Sequence, residues 1–235
     1  SDYRIVIPIE NSSTGRVADI HYLIPKYKLQ IHAEHFQKVT HNLLGTKDSK
    51  IQDIKTVRSH SQAIGQCQKV ISENKLKPII SADTAGSAKF ISEKKDKSES
   101  AIASELAAKI YNLKILKSEI EDDKGNVTRF LIMGKETKHP EFKDKKYITS
   151  CIFTLKSIPA ALYKALGGFA TNGVNLCKLE SFAVKNSFDQ VQFYIEIERH
   201  IEDLPLQKAL EELGFHTQKL DILGVYEAHQ FRSKN

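Results

Sequence analysis

A chain of 235 residues that is 40% apolar and 27% charged can bury a full core and is long enough for two modest domains. Its net charge of +6 comes from lysines scattered along the chain and not interleaved with aromatics, which fits an anionic small ligand better than nucleic acid. Cys67, Cys151 and Cys177 lack any CxxC or metal-ligand spacing, which argues against a disulfide framework or a zinc site, and no run is long enough for a membrane span or shaped like a signal segment, so a soluble protein of a reducing cytoplasm is expected.

The first element is an apolar run, Ile5 to Ile9, which reads as an inner strand. It ends at Glu10, and Asn11, Ser12, Ser13 and Thr14 then supply caps for a helix expected to start near Gly15. Free N–H groups at such a junction favour an anion, with simple capping as the competing reading. Further strand runs at Thr56 to Val57, Pro78 to Ser81 and Phe130 to Met133 alternate with helical patterns at 60–73, 85–93 and 100–112, an α/β arrangement. Each helical pattern opens on small or polar residues: SHSQAIGQC with Ser59, Gln62 and Gln66, ADTAGSAKF with Asp83 or Thr84 as cap, and SAIASELAAKIYNL. In an α/β sheet such starts gather at one edge, where ligands bind.

At 125–134 the run GNVTRFLIMG places Arg129 at the start of an apolar strand after turn residues Gly125-Asn126. Taken alone, the expectation is an edge-strand charge pointing to water. Residues 134–147, polar and carrying Pro140, form a linker. Beyond it come a strand at 147–155 and a helix capped by Ser157, with Pro159 in its first turn and Gly173 past its end. A strand in GVNLCKLESF follows, and then VQFYIEIE, where Val191, Phe193, Ile195 and Ile197 alternate with Gln192, Tyr194, Glu196 and Glu198 as in a half-buried strand. A helix from Asp203 closed by Gly214 and a last strand in LDILGVY complete a βαββαβ order, the split βαβ of ferredoxin-like modules.

PIENSSTGRV, SHSQAIGQC, DTAGSA, AIAS and NVTRF, in this order, resemble the catalytic domain of prephenate dehydratases, and GGFATNGVNLCKLES with QFYIEIERH resembles the ACT regulatory domain fused to it. The resemblance implies an α/β catalytic domain over 1–137, two-lobed and periplasmic-binding-protein-like with its active site between the lobes, followed by an α+β ferredoxin-like (βαββαβ) ACT domain over 147–230. It implies conversion of prephenate to phenylpyruvate without metal or organic cofactor. Thr128 would meet the departing hydroxyl, Arg129 would be the counter-charge for a substrate carboxylate, and Phe130 would fix the strand behind them. Glu10, Asn11, Ser12, Ser59, Gln66 and Thr84 are then candidate substrate contacts.

For L-phenylalanine as effector, Ala161, Leu162, Asn175, Leu176, Glu180 and Ser181 are the implied contacts in a cytoplasmic homodimer or homotetramer, with no nucleic acid or membrane partner. Here Pro159-Ala160-Ala161-Leu162 stands where the family often has PGAL, and Glu180-Ser181-Phe182-Ala183 where it has ESRP. The family's usual opening strand and GxxGSYS-like turn do not stand in these residues, so that segment is expected to precede residue 1. Arogenate dehydratase and a non-catalytic amino-acid-sensing ACT protein are the alternatives.

Overall fold

The structure, a computed structural model, describes residues 3–17, 20–136, 138–156, 158–183 and 191–233. In chain order, β1 (Ile5–Asn11), β2 (Gly15–Arg16), α1 (Ile20–Lys26) and β3 (Gln30–Lys38) come first. Next are β4 (Asn42–Gly45), β5 (Thr56–Ser59), α2 (Ser61–Gly65), α3 (Gln68–Glu73), β6 (Lys77–Ile80), α4 (Thr84–Lys94), β7 (Glu99–Ala103), α5 (Glu105–Ile110) and β8 (Lys114–Lys117). β9 (Val127–Gly134) is followed by β10 (Tyr147–Leu155), α6 (Ala161–Thr171), β11 (Leu176–Ala183), β12 (Val191–Ile197), α7 (Leu204–His216) and β13 (Thr217–Glu227). The chain divides into two compact units, Ser1–Gln37 with Val127–Asn235, and Lys38–Asn126. Among the described residues no helix is long and apolar enough to cross a membrane.

The Lys38–Asn126 unit is an α/β sheet of order β6-β5-β7-β4-β8, with β5 parallel to both neighbours and β4 antiparallel to both of its own. The two-residue period sends Leu43, Val57 and Ile102 to one core and Leu44, Ala101 and Ala103 to another, where Ala88 and Ile91 of α4 pack. Residues 100–112 are not one helix: Glu99–Ala103 is a central strand, and α5 starts after Ser104, whose hydroxyl accepts from Ala107 N at 3.1 Å. Small residues such as Ser-Ala-Ile-Ala carry no period that separates strand from helix. The expected helix at 60–73 is likewise two, α2 and α3.

The other unit packs two sheets face to face, one of order β2-β1-β9-β3 and one of order β11-β12-β10-β13, the strand order of a split βαβ module. On one face of the second sheet, Cys151, Phe153, Ile195 and Ile197 meet Phe169 of α6 and Leu206 and Leu213 of α7. On the other, Ile148, Ile152, Tyr194, Leu223 and Tyr226 meet Ile9, Ile31, Leu131 and Met133 of the first sheet. Coverage on both sides buries β10 at every position from Tyr147 to Phe153.

Several local expectations are corrected. Gly15, at φ 78°, lies in β2, and the helix waits until Ile20. Ile5 and Val6 are 40% and 60% exposed, because β2 pairs only with Glu10 and Asn11 and leaves β9 as the ladder partner of the first half of β1. Ala160, in the left-handed region at φ 58°, is the N-cap of α6, while Ser157 lies outside the described residues. α7 continues through Gly214 to His216.

The sheets approach closely at Gly224, where a Cβ would lie 2.2 Å from the Ile31 carbonyl oxygen. Backbone cannot yield as a flexible side chain does, so Gly224→Ala should lower the urea midpoint by the equivalent of about 2 kcal/mol or more; an unchanged midpoint would show that the sheets can separate freely there.

Candidate active site

The antiparallel register of β1 and β9 sets Asn11 opposite Thr128 and Glu10 opposite Arg129, just past an irregularity between Pro8 and Glu10. Asn11 Oδ1 accepts from the backbone N–H groups of Ser13 and Thr14, both at 3.0 Å, which fixes the amide orientation. Its Nδ2 therefore faces β9, donating to Thr128 Oγ1 at 3.0 Å and Val127 O at 3.3 Å. Ser12 Oγ accepts from Val127 N at 2.9 Å. The Thr128 hydroxyl thus receives a hydrogen bond and meets no acceptor for its own proton among the described residues. Asn11, Ser12 and Thr128 are brought together; Phe130, half-buried, pairs with Pro8.

Arg129 is not a surface charge. β9 lies between β1 and β3, and the residue is 2% exposed. Nε donates to Glu34 at 2.7 Å; Nη1 reaches Glu10 at 3.0 Å and Glu196 at 2.9 Å; Nη2 reaches Glu34 at 2.7 Å and Tyr226 OH at 3.2 Å. Three of these contacts are hydrogen bonds and two are further ion pairs. In this arrangement the guanidinium expected to face a substrate carboxylate is held by the protein's own glutamates. Arg232 closes the cluster from the far end of the chain, meeting Glu34 at 2.7 and 2.9 Å and Glu196 at 2.9 Å. Glu34, Glu196, Tyr226 and Arg232 were missed in the sequence; Glu196 stands in the polar phase of β12, which periodicity assigns to water.

In the Lys38–Asn126 unit, Ser59, expected as a substrate contact, is fully buried and donates to Ile102 O at 2.7 Å, which ties two strands. Gln66 Oε1 lies 2.9 Å from His41 Nε2 and accepts from Asn126 Nδ2 at 2.9 Å. Thr84 opens α4, but the cap is Asp83, which accepts from Gly86 N at 2.5 Å. A Cβ on Gly86 would lie 2.7 Å from that carboxylate, so its small size serves the cap.

The candidate effector residues do not converge within the chain. Ala161 and Leu162 open α6 and Leu176 opens β11. Asn175 donates to Glu198 at 2.5 Å. Roughly 15 Å further along the strand, Glu180 pairs with Lys178 at 2.9 Å and Arg16 at 3.5 Å, and the Ser181 carbonyl accepts from Arg16 at 3.4 Å.

A family model described as prephenate dehydratase matches residues 2–138. The chain is 42% identical over 229 residues to a bifunctional N-acyl-homoserine lactone acylase/prephenate dehydratase of Komagataeibacter europaeus, covering 97% of this chain and 82% of that protein. It is 36% identical to arogenate dehydratase 2 of Petunia hybrida, covering 95% of this chain and 60% of that one. The crystal structure of prephenate dehydratase from Arthrobacter aurescens in complex with L-Phe superposes with a TM-score of 0.85 at 28% identity, covering 96% of this chain and 75% of that one.

Electrostatics make the packed cluster pH-sensitive. Burial alone would raise the carboxyl groups of Glu10, Glu34 and Glu196, but Lys178, Arg232 and Arg129 hold all three below their ordinary value of 4.5. Burial pushes His21 down from 6.5 to about 4; it lies against Tyr194 at 4.6 Å, and its Nε2 is buried with no hydrogen-bond partner among the described residues. Both linkages have one sign, since the unfolded chain takes up protons before the folded one. Stability is therefore full above pH 6.5, falls through His21 between 6.5 and about 4, and falls further through the glutamates below 4.5. Urea titrations across this range should show that His21→Phe flattens the upper part of the slope and leaves the lower part; an unchanged upper slope would remove His21 as its source.

Proposed function

The chain belongs to the prephenate dehydratase family and is an enzyme of that family, and from that premise we propose that it converts prephenate to phenylpyruvate with Thr128 meeting the departing hydroxyl. In that reaction the bond from ring to carboxylate breaks and CO2 leaves. The released electron pair moves through the ring, the ring C–O bond breaks, and the oxygen leaves as water after taking up one proton. Aromaticity drives the step, so the enzyme must chiefly hold the hydroxyl against a donor while the ring carboxylate is free to go.

The observation that carries this reading is the Asn11 Nδ2 to Thr128 Oγ1 hydrogen bond of 3.0 Å. It occupies an acceptor site on the oxygen and leaves the hydroxyl proton to be donated elsewhere. A threonine hydroxyl is a poor acid, and a preoriented hydrogen bond to the leaving oxygen is the role it can fill. Arg129 serves by fixing the strand on which Thr128 stands. Asn11, Ser12, Glu10 and Phe130 complete the proposed set around the substrate or behind it.

The same reading makes residues 147–230 an ACT domain through which the enzyme forms a homodimer or homotetramer in the cytoplasm and senses L-phenylalanine through α6 and β11. Support comes from the βαββαβ order and from the Arthrobacter structure with its bound L-Phe. Arogenate differs from prephenate by an amine in place of a keto group on the side chain, so it is the alternative substrate. A second reading, acylase activity on N-acyl-homoserine lactones, is favoured by the 42% identity over 97% of this chain.

Turnover of prephenate, arogenate and an N-acyl-homoserine lactone by one preparation, with and without L-phenylalanine, separates these readings. Phenylpyruvate formation inhibited by L-phenylalanine is expected, turnover of the lactone alone would favour the acylase reading, and no turnover of any of the three would leave a non-catalytic binding protein. Thr128→Ala should lower kcat on prephenate by well over tenfold while Thr128→Ser keeps most of it; an unchanged kcat in Thr128→Ala would end the role assigned to the hydroxyl.

A further inference from the structure

Lys178 is the least explained charge near the candidate site. It stands on β11, its side chain is 11% exposed, and its ammonium bridges Glu180 at 2.9 Å and Glu10, which it also contacts directly. Glu10 is the register partner of Arg129 and the residue before Asn11, whose amide orients Thr128. The β1–β9 ladder shifts register between Pro8 and Glu10, and beyond that irregularity Glu10 and Asn11 pair with β9 on one side and with β2 on the other. Two cations hold the Glu10 side chain in addition: Arg129 takes Glu10 Oε1, and Lys178 takes Glu10 Oε2.

Resting on the dehydratase reading above, we propose that Lys178 is a positioning residue for that reaction, acting through Glu10 to hold Asn11 in line with the Thr128 hydroxyl. An unopposed Glu10 could follow Arg129 alone, whose Nη1 it already shares with Glu196. The Glu10 side chain would then lose one of its two cationic anchors and settle toward Arg129, and the amide of the next residue, which orients Thr128, would shift with it. With both carboxylates on its ammonium, Lys178 is engaged by the protein and is not offered as a substrate contact.

The experiment compares Lys178→Met, Lys178→Arg, Glu10→Gln and the double variant Lys178→Met with Glu10→Gln, all confirmed folded by circular dichroism, with prephenate as substrate. Expected are a fall in kcat of about tenfold in Lys178→Met with KM within twofold, and recovery in Lys178→Arg. In the Glu10→Gln background the Lys178→Met change should have less than a twofold further effect, since the residue acts through Glu10. A kcat unaffected by Lys178→Met overturns the proposal and leaves the dehydratase reading standing. So does a kcat loss that multiplies independently with that of Glu10→Gln, or one that appears as a rise in KM. A wild-type chain that turns over neither prephenate nor arogenate overturns both.

Discussion

Burial of one guanidinium organises much of the Ser1–Gln37 and Val127–Asn235 unit. Arg129 stands on β9 with its charge between two packed sheets, where an unpaired ion would cost several kcal/mol. Its partners come from β1, β3, β12 and β13, stretches far apart in the chain. Arg232 adds a second cation to Glu34 and Glu196, and Lys178 and Arg16 continue the cluster to Glu10 and Glu180. Within this cluster Arg129, Arg232, Lys178 and Arg16 balance Glu10, Glu34, Glu196 and Glu180. A buried ion pair adds little net stability over an apolar contact of the same size, but removing one member is severe. The cluster is therefore best understood as fixing how the two sheets register, with the surrounding apolar residues supplying most of the driving force.

That arrangement explains which parts of the fold were legible in the sequence. The β12 alternation, the helices following Asp83 and Asp203, the linker before β10 and the βαββαβ order all depend on local period and capping, and the structure contains them. β3 was not legible: QIHAEHFQK carries too few apolar residues to read as a strand, yet Ile31 and Glu34 are buried in it. Its burial depends on β9 beside it and β13 across from it, neither of which is near in sequence. For the same reason the polar phase of β12 was assigned to water. Tyr194 and Glu196 alternate correctly with Phe193 and Ile195, but a sheet covered on both faces buries both phases.

The candidate site shows a similar division. Asn11, Ser12 and Thr128 were singled out by resemblance to a known family, and the β1–β9 register brings them together through hydrogen bonds of ordinary length. Ser59 and Asp83 were also conspicuous as polar residues at helix starts, and there the structure favours the simpler reading of strand tie and cap. A polar residue at a strand end carries the same local signal whether it serves backbone or ligand. The difference lies in whether a donor remains unused once the backbone is satisfied, as the Thr128 proton does and the Ser59 proton does not.

The engagement of Arg129 also bears on how a decarboxylating dehydration would be run under the proposed function. A strong ion pair to the ring carboxylate would stabilise the substrate more than the transition state, because that charge flows into the ring as CO2 departs. Stabilisation is needed instead where the hydroxyl leaves, since oxygen gains negative character there until it takes up a proton. A strand that gives its guanidinium to glutamates and carries an uncharged hydroxyl on the preceding residue separates these tasks. In the proposed reaction charge fixes the frame, and a neutral donor meets the leaving oxygen. Exchanging them would place a fixed positive charge where electrons must depart, and would leave a weak hydrogen bond to hold two sheets that now share a buried ion cluster.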